Sequence, residues 1–144
     1  MTPVRKMTKQ TLQVVLEELL NKKRIELVEE LFHPEFYNHD PAPGYSPDRE
    51  GLKEFFTDLF QAFPNDFAVT CTHILGEGEK IAAARFLIEG IHEGTFMGVE
   101  GTHQKLNLPV ISIVRGDNED RDTRIIERWS VQDNLLAMQQ LGLT

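Results

Sequence analysis

The first half of the chain has the hydrophobic periodicity of amphipathic α-helices. Apolar residues recur at helical spacing over residues 7–21 and leave the positions between them to charged and amide side chains, which predicts a long helix with one buried face. The pattern continues over residues 24–32 and ends at Pro34, so a short second helix is predicted. A third helix, whose apolar stripe holds four phenylalanines, is predicted to begin with Ser46 as N-cap and Pro47 in its first position.

Beyond residue 66 the periodicity changes to the two-residue alternation of β-strands. Four strands are predicted, separated by turns that are rich in glycine or in charged residues: 67–75, 80–92, 106–115 and 124–133. Helices followed by antiparallel strands predict an α+β fold, with the N-terminal helices packed on a highly curved, mainly antiparallel sheet. A bent sheet that closes on helices forms a cone with one open end, and such concavities are the usual sites for small molecules.

Length and charge narrow the classes of function. The chain has 144 residues and is predicted to form a single domain over residues 1–144. Its formal net charge of −8 argues against nucleic acid and an anionic membrane as partners, since both favour clusters of Lys and Arg. The N-terminus lacks the long apolar stretch of a signal peptide or a membrane span, so a cytoplasmic location is predicted.

The predicted strand 124–133 carries the first candidate chemistry. Alternation places Glu127, Trp129 and Asp133 on the same face. A carboxylate beside an indole loses hydration and its pKa tends to rise, so this face is predicted to offer a proton acceptor to an apolar ligand. In the alternative interpretation Trp129 is a core residue, and the two carboxylates end at the sheet rim or pair with arginines.

A second group of candidates precedes the proline-rich loop of residues 41–47. Tyr37, Asn38, His39 and Asp40 are consecutive there. His39 either faces a ligand or bonds to the loop backbone, and both interpretations stay open. Asp40 directly precedes a proline, so it is predicted to form a turn rather than to take part in catalysis.

The predicted strand 80–92 supplies further candidates. Small residues along one of its faces leave room over the sheet, and Phe86 and His92 border that space. His92 either enters the cavity or ties down the backbone of the neighbouring turn, because glycine-bearing bends flank it. Arg85 is a candidate anion partner, or it pairs with a carboxylate on the sheet such as Glu89.

Five short motifs follow one another in an order that is typical of one family. They are HPEFYNHDP at residues 33–41, FPN at 63–65, GIHEGTFMG at 90–98, ERW at 127–129 with Asp133, and QQLG at 139–142. Through these motifs nearly the whole chain resembles the SnoaL-like polyketide cyclase family, part of the nuclear-transport-factor-2-like superfamily.

The resemblance implies a fold, a ligand and a reaction. The fold is a cone-shaped α+β barrel, usually dimeric through its sheet, which holds an apolar ligand without a metal or an organic cofactor. The characterised cyclases close the last ring of an aromatic polyketide by an intramolecular aldol condensation, with an aspartate as acid/base. Laid against the shared ending, that aspartate falls at or near Ser130 and its companion histidine at Ile111 or Ser112, while the asparagine is kept as Asn38.

The sequence therefore predicts a cofactor-independent enzyme that acts on a small apolar carbonyl compound and forms a homodimer. Asp133 or His39 would remove a proton α to a carbonyl, and His92 or Asn38 would hydrogen-bond the developing enolate. The catalytic candidates are Asp133, His39 and His92, and no metal ligand is predicted. The ligand-binding candidates are Asn38, Tyr37, Trp129, Arg85, Phe56, Phe86, Phe96 and Glu127.

A second function stays open beside the first. Because the cyclase aspartate is replaced, the chain could be a non-catalytic module that binds a small hydrophobic ligand or a partner protein.

Overall fold

The computed structural model describes residues 4–119 and 121–143, which contain four α-helices and one five-stranded sheet. The helices are α1 (Thr8–Val14), α2 (Val28–Leu31), α3 (Arg49–Ala62) and α4 (Asn134–Gln140). A π-helical turn, Val15–Leu20, continues α1, and a 3₁₀ turn, Ile25–Leu27, precedes α2. The strands are β1 (Phe32–Asn38), β2 (Ala68–Glu77), β3 (Ile81–Ile91), β4 (Lys105–Gly116) and β5 (Ile125–Gln132).

The strand order is β1-β5-β4-β3-β2, with β1 parallel to β5 and the remaining pairs antiparallel. The predicted α+β class is confirmed, but the sequence missed β1: Phe32 was assigned to the second helix, and residues 33–38 were assigned no regular structure. β1 contains Pro34 and lies at the sheet edge, where a residue without a backbone N–H is tolerated. Its pairing with β5 joins residues about 90 positions apart in the chain, so no local sequence pattern predicts it.

One face of the sheet is buried against the helices. Along β3 and β4 buried and less buried residues alternate, and the buried set provides the floor of the core: Ala82, Ala84, Phe86, Ile88, Leu106, Leu108, Val110 and Val114. Leucines and valines of α1 and its π-helical continuation and the phenylalanines of α3 cover this floor. The opposite face is open, and Ile111 and Ile113 are about half exposed there.

A β-bulge in β5 decides which of its side chains face the core. Gly116 pairs with Ile125 and Arg115 pairs with Glu127, so Ile126 is an extra residue opposite a single step of β4. An extra residue shifts the alternation by one position. Ile125 is therefore fully buried, although two residues later the side chain of Glu127 lies on the outer face.

The bulge corrects the predicted orientation of β5. Trp129 pairs with the exposed Ile113, while Arg128 and Ser130 pair with the buried Val114 and Ser112. Because paired residues share a face, the face of Glu127 and Trp129 is the outer one. Arg128, Ser130 and Gln132 point to the interior instead.

The start of α3 also differs from the prediction. Asp48 is the N-cap, and its Oδ1 accepts the backbone N–H of Gly51 over 2.9 Å. The Ser46 hydroxyl donates to the same oxygen over 2.7 Å. These two hydrogen bonds, that of Ser46 first, lower the pKa of Asp48. Asp48 thus takes the role that the sequence assigned to Ser46.

Among the described residues, no helix has both the length and the apolarity needed to cross a membrane.

Gly116 offers a test of how tightly α1 packs on the sheet beside the bulge. A Cβ at this position would clash with Thr8 Oγ1 and lie 2.5 Å from Thr123 Cγ2. We expect Gly116→Ala to lower the free energy of unfolding by roughly 2–3 kcal/mol, as overpacking does, measured by urea denaturation. Gly76→Ala is the control, because its nearest neighbour would be Lys9 Cβ at 3.2 Å. Equal stabilities of the two variants would contradict this packing.

Candidate functional site

An apolar cavity of about 370 Å³ lies between the helices and the inner face of the sheet. We call it the inner cavity. Its walls come from α3, the π-helical turn, β3, β4 and α4, and most of them are aliphatic or aromatic, including Leu16, Leu20, Phe55, Phe56, Leu59, Phe86, Ile88, Phe96, Leu106, Leu108, Val110 and Leu141. Its polar lining residues are His92, Arg128, Gln132 and Asn134.

A second pocket of about 410 Å³, the rim pocket, adjoins the inner cavity. The proline-rich loop forms one side of it and the inward residues of β5 form the other. The two spaces share Phe55, Phe56, Arg128 and Gln132 as wall residues. The rim pocket is more polar, since Asn38, Asp40 and Ser130 also line it.

Arg128 lies at the boundary of the two spaces. Burial lowers the pKa of Arg128 to about 10, against the opposing effect of the Asp40 charge. Its Nη1 donates to Asn38 Oδ1 over 3.4 Å, and among the described residues no carboxylate forms an ion pair with it. The guanidinium is therefore a partly buried cation, and the described residues use little of its hydrogen-bonding capacity.

Asn38 and Asp40 hold their positions through the backbone. Asn38 is buried, its backbone N–H donates to Pro47 O over 2.7 Å, and its Oδ1 accepts the N–H of Asp40 over 3.0 Å. Asp40 Oδ2 in turn accepts the N–H of Ser130 over 2.8 Å. Asp40 lies in a bend directly after β1, and it lines the rim pocket together with Arg128.

The proline-rich loop is tied to α3 by one tyrosine. The Tyr45 hydroxyl donates to Asp58 Oδ2 over 2.5 Å, and its ring meets Phe55 edge-on with centroids 5.3 Å apart. Burial, followed by the hydrogen bond to Asp58, raises the pKa of Tyr45 to about 12. Tyr45 is therefore a protonated donor at neutral pH that keeps the loop beside the rim pocket.

Several predicted site residues form a separate cluster on the outer face of the sheet. The His39 ring stacks on Trp129 with centroids 4.7 Å apart, and Tyr37 meets His39 edge-on. His39 Nε2 lies 2.7 Å from Glu127 Oε2, and Arg115 Nε donates to Glu127 Oε1 over 2.8 Å. None of these five residues lines the inner cavity or the rim pocket.

The expected rise of the Glu127 pKa is wrong. The hydrogen bond from Arg115, followed by that of His39, lowers the pKa of Glu127. Opposite charge and hydrogen bonding to the ionised form outweigh the loss of hydration beside the indole. Glu127 is therefore an ionised partner of Arg115 and not a proton acceptor for an apolar ligand.

Asp133 and Arg85 also lie away from the two spaces. Asp133 is exposed, and as the N-cap of α4 its Oδ1 accepts the N–H of Leu136 over 2.9 Å. Arg85 lies on the outer face of β3 and donates to Thr72 Oγ1 over 3.1 Å. The hypothesis that Asp133, His39 and His92 surround one cavity is corrected, because β5 turns the other way at its bulge.

The remaining predicted residues do come together. His92, Phe86, Phe56 and Phe96 all line the inner cavity, and Asn38 lines the rim pocket. His92 is fully buried at the end of β3.

Sequence reasoning missed Arg128, Ser130 and Gln132 as lining residues. Their shared face of β5 was visible from alternation, and a lone arginine between Ile126 and Ser130 on that face was a usable signal. The bulge that turns this face inward has no comparable signal, since neither a glycine nor a proline marks it.

One group of side chains has the arrangement of metal ligands. Ligand atoms of His33, Asp117 and Glu119 lie within 4.8 Å of one another. Asp117 already accepts the N–H of Arg124 over 2.9 Å, and its other oxygen lies 3.5 Å from Arg124 Nε. None of the three lines either space, and we assign no metal to them.

The Glu127 ion pairs predict a pH dependence of stability. A carboxylate whose pKa falls on folding stabilises the fold above its unfolded value, near 4.5, and this contribution disappears as the pH falls through the folded value. At pH 7 we expect Glu127→Gln to be less stable than wild type by roughly 1 kcal/mol, and the difference to vanish in acid. Urea denaturation between pH 7 and pH 3 measures it, with the exposed Glu35→Gln as control. A difference that did not change with pH would contradict the arrangement.

Comparisons with known proteins agree with this fold. The family model described as SnoaL-like polyketide cyclase matches residues 10–141. A search of curated proteins finds no match. Among solved structures, IdmH from Streptomyces antibioticus, provisionally assigned as a polyketide cyclase, is 29% identical, with a TM-score of 0.75 over 94% of this chain and 98% of that one.

Two further structures show the range of the neighbours. A provisionally assigned polyketide cyclase from Bacillus cereus ATCC 10987 is 25% identical, with a TM-score of 0.74 over 92% of this chain and 78% of that one. AclR from Streptomyces galilaeus, provisionally assigned as a hydroxylase, is 21% identical, with a TM-score of 0.73 over 94% of this chain and 85% of that one, and shows the fold alone. With a family match over nearly the whole chain and a shared α+β fold, this protein belongs to the SnoaL-like polyketide cyclase family.

Proposed function

We propose that this protein is a cofactor-independent cyclase that acts on a small apolar, polyketide-like carbonyl compound by general acid/base chemistry. The observation that carries the proposal is the apolar inner cavity with Asp40, Arg128 and Asn38 grouped at one end. Apolar walls fit a hydrophobic substrate, and a carboxylate beside a cation supplies a base and a stabiliser for negative charge.

Asp40 is the proposed base. One of its oxygens accepts the Ser130 N–H, which leaves the other oxygen for a substrate proton. The family resemblance places the cyclase aspartate at or near Ser130. Here the backbone of that same residue holds a carboxylate that comes from the other side of the rim pocket. The acid/base group is thus supplied by the segment after β1 instead of by β5.

Arg128 and Asn38 are the proposed stabilisers of the enolate. Asp40 takes a proton from a carbon α to a carbonyl, and the electron pair of the broken C–H bond forms an enolate whose oxygen the Arg128 guanidinium binds. The enolate carbon then attacks a second carbonyl of the same molecule. The resulting alkoxide recovers the proton from Asp40, so the ring closes without any change of composition. Phe56, Phe86 and Phe96 exclude water from this step.

The alternative is a binding module without turnover. It is favoured by one observation, the exposure of Asp40, because an exposed carboxylate is not enclosed in a water-excluded site of the kind that favours catalysis. Native mass spectrometry of the purified protein distinguishes the two: a retained ligand that is chemically unchanged supports binding, and a ring-closed product supports the cyclase.

The acid/base assignment predicts different effects for two aspartates. We expect Asp40→Asn to lower kcat by about 10²–10⁴-fold, since that is the usual contribution of a positioned general base. Asp133→Asn is the matched control, because it makes the same chemical change outside the cavity and asparagine caps a helix as well as aspartate does. The measurement is ring closure of a synthetic aromatic poly-β-ketone, followed by liquid chromatography with mass detection.

Retention of wild-type kcat in Asp40→Asn would refute the proposed base, and a large loss in Asp133→Asn would restore the sequence-based assignment. Arg128→Met adds an independent reading, because loss of the cation lowers kcat while an apolar side chain keeps the wall closed.

We also propose a homodimer that forms through the outer face of the sheet. Ile111 pairs with Val131 and Ile113 with Trp129 across β4 and β5, and Ile111, Ile113 and Val131 are 52%, 44% and 76% exposed. A contiguous apolar patch of this kind favours association. The cytoplasmic location and the single domain over residues 1–144 remain predictions.

The dimer is tested by placing a charge in the patch. We expect Ile113→Lys to be monomeric and wild type to be dimeric in sedimentation equilibrium, since a buried ammonium opposes association. Thr95→Lys, which adds the same charge outside the sheet, should leave the mass unchanged. A wild-type monomer would contradict the dimer directly.

A further inference from the structure

His92 has one ring nitrogen without a partner at the apolar end of the inner cavity. Its side chain is fully buried, Nε2 has no hydrogen-bond partner among the described residues, and the residue lines the cavity. Buried polar groups are nearly always paired in native proteins. The proposed acid/base step makes no use of His92. Its unpaired nitrogen is therefore available for a different interaction with a ligand.

Thr102 determines which nitrogen carries the proton. The backbone N–H of Thr102 donates to His92 Nδ1 over 3.3 Å, and Thr102 Oγ1 lies 3.1 Å from the same nitrogen. A ring nitrogen that accepts an amide N–H carries no hydrogen of its own, so the proton of the neutral ring is on Nε2. The unpaired ring group of His92 is therefore a hydrogen-bond donor.

The surroundings of this donor are apolar. The His92 ring lies 5.6 Å from the Phe63 ring, which in turn meets Phe96 edge-on at 5.7 Å. Phe96 and Leu106 line the cavity with it. In such surroundings a single oxygen acceptor gains more from the N–H than it would in water.

His92 and the acid/base group lie at different positions along β4. The backbone N–H of His92 donates to Gln104 O at the start of β4, whereas Gln132, two residues beyond Ser130, pairs with Val110 in its middle. Six residues of chain, from 104 to 110, span roughly 20 Å along a strand, although the bend of the sheet shortens the direct path. A molecule that reaches both positions is therefore elongated.

We propose that His92 is a specificity-determining residue whose Nε2–H binds a carbonyl oxygen at the end of the substrate remote from the bond that forms. The hydrogen bond then favours a ligand with a carbonyl oxygen at that position over a hydrocarbon of the same shape. This proposal deepens the proposed function. It rests on that function only for which end of the substrate reacts. A carbonyl oxygen fits because it accepts without donating, whereas a hydrocarbon leaves the buried N–H unpaired.

Binding of two matched probes tests the proposal without any turnover. Fluorenone and fluorene have the same tricyclic shape and differ in the carbonyl oxygen. We expect wild type to bind fluorenone roughly tenfold more tightly than fluorene, as one neutral hydrogen bond to an otherwise orphaned donor allows. Isothermal titration calorimetry measures both affinities. In His92→Phe the preference should disappear, and in His73→Phe, which changes an exposed histidine of β2, it should persist.

Infrared spectroscopy of bound fluorenone adds a readout that a purely structural histidine would not change. The carbonyl stretch should lie at lower frequency in wild type than in His92→Phe, because hydrogen bonding weakens the C=O bond. If His92→Phe does not fold, the wild-type band is compared with the carbonyl band of fluorenone in an apolar solvent. A lower frequency in the protein then supports the hydrogen bond. Equal affinities for the two probes, an unshifted band or no binding of either probe would overturn the proposal. Loss of ring closure in Asp40→Asn bears on the proposed function alone, so the two failures are distinguishable.

Discussion

The bulge at Ile126 is the constraint on which the site depends. By adding one residue to β5 against a single step of β4, it turns Ile125 into the core and then presents Arg128, Ser130 and Gln132 to the interior. Without it, alternation from the buried Ile125 would bring Glu127 and Trp129 into the cavity and place the guanidinium outside. The register of one strand pair thus decides that β5 contributes a cation to the site instead of an anion.

That register places the Arg128 guanidinium partly out of water, and removing a charge from water costs free energy. Burial lowers the pKa of Arg128. Among the described residues its guanidinium bonds to Asn38 Oδ1 at 3.4 Å and lies near the charge of Asp40. A buried charge with few partners reduces stability, yet the same desolvation strengthens its attraction for a developing oxyanion. A site that binds negative charge would account for this loss of stability. A core that only has to pack would not.

Much of the architecture was predictable from periodicity. The helical stripe of α3 and the alternation of β3 follow from local pattern, and local pattern survives in the fold. β1 and the orientation of β5 were not predictable in this way. Both depend on pairing between distant segments: β1 contains a proline and is defined by its parallel contact with β5, and the bulge is defined only against β4. Of the site, His92 and the phenylalanine walls followed from strand and helix faces, whereas Arg128 was lost with the wrong face of β5.

A backbone hydrogen bond joins the outer cluster to the inner site. Residues of the cluster that the sequence predicted as site residues are therefore linked to the proposed base. His39 N donates to Arg128 O over 2.9 Å, so the residue before Asp40 is bonded to the residue that bears the guanidinium. On the outside, stacking on Trp129 and the contact with Glu127 hold the His39 side chain against β5. On the inside, Asn38 and the Ser130 amide hold Asp40. An exposed carboxylate on a loop would ordinarily sample many positions, but these contacts on both faces of one strand pair confine it beside Arg128. Under the proposed acid/base function, the aromatic cluster would position the base without touching the substrate.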